Sequence, residues 1–237
     1  MRLLIGVWVA ACMLSSASAA DPKPPEVKVP MLSKAPKIDG VLDDASWKEA
    51  ATSDAFKLAD GDKPKAITRM MLGQDAENLY IAIVCYESAD ALKALKNDIT
   101  DHDADSIWDD DSIELFIDPS GARGTYYQLI VNSKGTTWDA WVEAGPNSDM
   151  NWEPKYEAKT KVGADSWVLE MALPWSSFNR TTKSAADWVF NVSRTRSLEG
   201  ETIYWSPVYS STSHTPEKFG KLLGLPEKSL KAPDQKK

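Results

Sequence analysis

Two-residue alternation of apolar and polar side chains constrains this chain more than any other feature. It recurs in nine short runs, near 67–72, 78–86, 112–117, 126–132, 136–142, 156–162, 167–173, 188–196 and 203–206. Successive side chains of a strand point to opposite faces, so each run offers one face to a core. In the central run Ile113, Leu115 and Ile117 share one face, while Ser112, Glu114, Phe116 and Asp118 share the other. Turn signals such as Asp75-Ala76-Glu77-Asn78 and Ser133-Lys134-Gly135 separate neighbouring runs closely enough to pair them antiparallel. Helical signals are short: 43–50, which opens on two carboxylates; 88–96, with Ser88 or Asp90 as cap; and 174–178, with proline first. The chain is therefore expected to be all-β, an antiparallel β-sandwich of jelly-roll or immunoglobulin-like type with a few short helices.

The ends are read separately. Residues 1–20 carry a positive Arg2, an apolar stretch too short to span a bilayer, and Ala17-Ser18-Ala19-Ala20 as a cleavage site; they are expected to be a signal peptide. Export would place the chain in the periplasm or outside the cell. A lipoprotein box around Cys12, with membrane anchoring through it, is the competing reading. Residues 21–31 read as a Pro- and Lys-rich linker, 32–225 as one sandwich domain, and 226–237 as a disordered charged tail. Once Cys12 is removed only Cys85 remains, inside an apolar run, so it is read as a buried residue without a disulfide partner. A formal charge of −8 opposes binding to nucleic acid or anionic membrane.

The polar face of the 112–118 run is not accounted for by core packing. Trp108 lies just before it, and Glu114 sits beside Phe116 on it. An aromatic ring covers the apolar face of a pyranose and a carboxylate accepts its hydroxyl hydrogens, so this combination suits a sugar. If 126–132 pairs with this run, Asn132 joins Glu114 on one face, either as a second hydrogen-bonding group or as part of a solvated polar face. Tyr126, Trp138, Trp141 and His214 are candidates to widen the site. The acidic loop holds Asp103, Asp105, Asp109 and Asp110, oxygen donors that suit calcium as well as they suit solvent, though their spacing is not that of an EF-hand. His102 stands among them alone, without three-ligand zinc spacing. Glu170 is surrounded by apolar residues and is expected to pair with Arg194 or Arg196. No Gly-x-Ser-x-Gly, Cys/His pair or phosphate loop is present.

Five segments, taken in order, resemble family 9 carbohydrate-binding modules. They are Lys37-Ile38-Asp39-Gly40 through Trp47, Asn78-Leu79-Tyr80-Ile81-Ala82, Trp108 to Asp118, the W-x-x-E-x-x-x-P-W run from Trp167 to Trp175, and His214-Thr215-Pro216-Glu217-Lys218-Phe219-Gly220. The resemblance implies a β-sandwich that binds ends of glucans or xylans in a slot between two tryptophans, with structural calcium. It places the first slot tryptophan at Trp108, a hydroxyl-binding glutamate at Glu114 and an amide ligand at Asn132. Ile130 stands where the family has a sugar-binding arginine. Ser213, with His214 beside it, stands where the second tryptophan would be.

The expectation is an exported, non-catalytic carbohydrate-binding protein serving polysaccharide catabolism, with Trp108, Glu114, Asn132 and His214 in the site. A glycoside hydrolase, or another enzyme ancillary to carbohydrate catabolism, would instead need an acid/base pair in one cleft. A haem-binding relative would need axial ligands such as Met70 or Met71 with His102 or His214. A purely structural sandwich would bind nothing.

Overall fold

The computed structural model describes residues 22–143 and 148–227. The expected signal peptide and most of the expected tail lie outside them. The described chain forms two sheets that close on one core. The larger is nine-stranded. Its strands are β1 (Glu26–Lys28), β3 (Lys57–Leu58), β6 (Ser112–Asp118), β7 (Thr125–Asn132), β8 (Thr137–Glu143), β9 (Ser148–Asp149), β12 (Asp187–Arg196), β13 (Glu201–Tyr204) and β14 (Gly220–Leu223). The main order is β1-β14-β12-β6-β7-β8-β9, and β13 branches from β12 to pair with β3. The smaller sheet has five strands, β10 (Glu157–Val162), β11 (Ser166–Pro174), β5 (Asn78–Tyr86), β4 (Thr68–Gln74) and β2 (Ala51–Ser53), in that order. The only α-helix among the described residues is α1 (Ala89–Lys93), and the Ser88 side chain caps it by accepting from the Ala91 amide.

The alternation predicts these strands because the inward residues interlock. Ile113, Leu115 and Ile117 of β6 meet Ile81, Ile83, Leu169 and Met171 of the opposing sheet in one buried cluster. Cys85 is buried there without a disulfide, and burial pushes its thiol up to about 12. One boundary moves. The segment read as linker contains β1, which pairs in parallel with β14 through Glu26↔Lys221, Val27↔Leu222 and Lys28↔Leu223. Three residues carry too little pattern to announce a strand; a partner almost two hundred positions away supplies the hydrogen bonds.

The expected pairing of Glu170 with Arg194 or Arg196 does not form. Both arginines bond Glu87, at 2.6 and 2.5 Å, in a nearly buried ion pair. Glu170, fully buried on β11, instead closes the loop at 39–41. Its Oε2 accepts from the amides of Asp39 (2.9 Å), Gly40 (2.6 Å) and Val41 (3.1 Å), and its Oε1 from the Trp47 indole (2.7 Å). Gly40 is required in this cradle: its φ is +82°, and a Cβ there would meet Lys161 Cβ at 2.9 Å.

Candidate functional site

Register places one row of side chains across the outer face of the larger sheet. Trp138 of β8 pairs with Ile130, Ile130 with Glu114, Glu114 with Ser193, and Ser193 with Tyr204. At a strand spacing of about 4.8 Å the row runs roughly 19 Å. The neighbouring row, Ala140, Gln128, Phe116 and Asn191, completes the face.

Most of this face is closed. Ile107, Phe116, Tyr126, Ile130, Trp138, Val142, Val189 and Phe219 form a second buried cluster. Loops before β6 and before β14 cover the sheet, so Phe116 and Tyr126 are packing groups. Trp141 projects to the opposite face, toward the main core, and does not join the row. Sequence alternation separates two faces but cannot tell which residues a distant loop will cover.

Two groups escape that cover. Ile107 is fully buried and anchors the single turn 107–109, which leaves Trp108 47% exposed. Its ring meets Trp138 edge to face, centroids 6.0 Å apart and planes at 82°. Glu114 is partly exposed in a strand otherwise buried. Gln128 Nε2 donates to its Oε1 at 2.5 Å and Ser193 Oγ to its Oε2 at 3.0 Å. Burial raises its pKa, and these two donors oppose the rise. The carboxylate is thus held in place with lone pairs to spare. Exposed His214 lies by the same face, its Nδ1 2.5 Å from the Tyr126 hydroxyl, and Tyr204 bonds Ser213 at 2.9 Å.

Asn132 shares the Glu114 face as expected, but its polar atoms are turned to protein groups. It is fully buried. Its Nδ2 donates to Ile99 O and to Asp110 Oδ2, both at 2.9 Å, and its Oδ1 accepts from the amides of Lys134 and Thr136. Every hydrogen-bonding position is taken by the adjoining turn or by Ile99 and Asp110, so the assignment of Asn132 to a sugar is corrected to a structural one. Asp110 is also fully buried and accepts from the amides of Asp98 and Ile99 as well as from Asn132, so it is not an open metal ligand. Asp105 and Asp109 are exposed. No three of Asp103, Asp105, Asp109 and Asp110 converge as a ligand set among the described residues.

Asp103 belongs to a different constellation that sequence reading missed. At the edge where β8 approaches the segment before β10, a recess of about 390 Å³ is lined by His102, Thr137, Asp139, Glu153 and Tyr156. The ligating atoms of His102, Asp103 and Glu153 lie within 4.8 Å of one another. Glu153 is fifty-one positions from His102, so no local spacing signals the group.

A family model described as "Carbohydrate family 9 binding domain-like" matches residues 38–224. This chain belongs to that family. The family 9 domain is 24% identical over 192 residues to endo-1,4-beta-xylanase A of Thermotoga neapolitana; the alignment covers 79% of the chain but only 17% of the xylanase. A family 9 module from Caldicellulosiruptor kristjanssonii, solved with cellotriose, superposes with a TM-score of 0.57 at 16% identity, covering 89% of this chain and 96% of that one. A Bacteroides uniformis protein superposes with a TM-score of 0.64 at 15% identity, covering 83% and 97%. The fold of this family 9 domain is therefore shared with solved relatives.

Proposed function

We propose that this family 9 domain is an exported, non-catalytic glycan-binding protein, taking a glucan- or xylan-type oligosaccharide or chain end. The observation that carries the reading is the exposed Trp108 indole at the end of the row that holds Glu114. An exposed indole, braced edge-on by Trp138, offers a flat apolar plate for a sugar ring. Glu114, positioned by Gln128 and Ser193, offers a hydroxyl acceptor. The family membership and the cellotriose bound by the Caldicellulosiruptor module support the same ligand class. Ile130 supplies no charge and Ser213 no second aromatic wall, so affinity is modest, about −4 to −8 kcal/mol, or millimolar to micromolar.

A glycan array followed by tryptophan fluorescence titration tests the reading. The expected result is saturable binding to a β-glucan or xylan oligosaccharide that Trp108→Ala weakens. Silence across the array, with Trp108→Ala indistinguishable from the parent, overturns it. Hydrolysis of the bound oligosaccharide would overturn the non-catalytic part alone.

A further inference from the structure

The recess at the sheet edge, which faces the other side of β8 from the row described above, carries its own chemistry. His102 Nδ1 lies 3.0 Å from the Thr137 carbonyl, which can only accept, and 3.0 Å from the Thr137 hydroxyl. When Nδ1 donates to that carbonyl and the ring is neutral, the lone pair of Nε2 turns outward. That lone pair faces two carboxylate oxygens, Asp103 Oδ2 at 3.3 Å and Glu153 Oε2 at 3.5 Å. Three acceptors pointed at one another repel unless a proton or a metal cation sits among them. A tetrahedral ion with bonds of about 2.1 Å sets its ligand atoms roughly 3.4 Å apart, which matches the 3.3 and 3.5 Å from Nε2 to the two carboxylate oxygens.

Asp139 provides an independent observation. It lies on β8, its residue is 1% exposed, and it lines the same recess. Its Oδ2 accepts from the Tyr156 hydroxyl at 3.2 Å, but its buried Oδ1 has no hydrogen-bond partner. A buried carboxylate oxygen without a donor is costly, and a metal ion or its bound water would satisfy it. The second shell is also in place: the Asp139 amide donates to Asp103 Oδ1 at 3.1 Å, leaving Oδ2 for the ion, and the Thr137 carbonyl orients the imidazole.

We propose that His102, Asp103 and Glu153, with Asp139 behind them, form a binding site for a borderline divalent cation of the zinc type. Imidazole with carboxylates selects such ions over calcium, which takes oxygen ligands at longer distances and in larger number. The ion would tie the loop at 102–103 and the start of β8 to the segment that leads into β10, joining the two sheets at their open edge.

Calorimetric titration tests this on the full chain, purified without a histidine tag and stripped with EDTA. Zn²⁺ is expected to bind at one equivalent, and Co²⁺ at the same site to give the intense visible bands of a four-coordinate centre. His102→Gln is expected to weaken Zn²⁺ on the order of 100-fold or more, beyond the loss usual for second-shell changes. Glu153→Gln, at an exposed position where folding is not at stake, should weaken it in the same direction. Excess Ca²⁺ should leave the bound Zn²⁺ in place. The proposal is overturned if no stoichiometric Zn²⁺ binds, if neither substitution changes the affinity, or if Ca²⁺ displaces Zn²⁺ at equal concentration. The first of these outcomes would leave a protonated His102 bridging two carboxylates.

Discussion

Glu170 and Glu114 are two glutamates on facing sheets of one sandwich, and they are used in opposite ways. Glu170 has no exposed surface and takes four N–H donors, three from one backbone loop and one from Trp47. Nothing is left for a ligand, and the carboxylate works as a clasp between the start of the domain and β11. Glu114 takes two donors, both from side chains of adjacent strands, and keeps part of its surface open. The difference teaches that a carboxylate among apolar residues is not thereby a functional one. What matters is whether its acceptor positions are filled by backbone or left free.

The contrast is broken most directly at the clasp. Glu170→Gln puts an amide NH2 against N–H donors and removes the charge that four of them share. A loss of about 3–5 kcal/mol in unfolding free energy is expected from denaturant titration; a loss below about 1 kcal/mol would show that Glu170 is not the clasp. Asn132→Ala comes next. It strips a buried residue of its bonds to Ile99, Asp110, Lys134 and Thr136, at a cost of about 2–3 kcal/mol in stability. The same denaturant curves measure it, and glycan affinity of the folded fraction should not change.

Changes at the exposed pair should do the reverse. Trp108→Ala is expected to remove about 1–3 kcal/mol of glycan binding, read by calorimetry, and to leave the melting temperature nearly unchanged. The smallest effect belongs to Glu114→Gln in a pH series. Burial raises the Glu114 pKa, so the folded chain holds that proton more tightly than the unfolded chain. Between the ordinary glutamate value of about 4.3 and the raised value, the folded state binds more protons. Stability from this group is therefore full at lower pH and lost as pH rises through that window. The parent-minus-variant stability curve should fall with rising pH; a curve that rises would mean that Gln128 and Ser193 outweigh burial.

Much of the sandwich is written in the chain. The strands β5, β6, β7, β11 and β12 are long, alternating and rich in branched and aromatic residues, so periodicity alone locates them. The ordered motifs also place the family, because Ile38 to Trp47 and Trp167 to Trp175 are the two halves of the Glu170 clasp. Trp108 and Glu114 were legible for the same reason: each sits beside a pattern whose apolar members are spoken for. β1, β2, β3, β9 and β14, of two to four residues each, were not legible as strands.

The sequence by itself determined the alternating faces, the sheet class, the family, and the exposed aromatic beside a carboxylate. Tertiary structure alone decided which polar residues remain available. It turned Asn132 and Asp110 inward to satisfy backbone groups and laid loops over Phe116 and Tyr126. It sent Trp141 to the core and gathered His102, Asp103, Asp139 and Glu153 at one edge. The physical reason is that periodicity is local, whereas satisfaction of a hydrogen-bonding group depends on atoms brought from elsewhere in the chain.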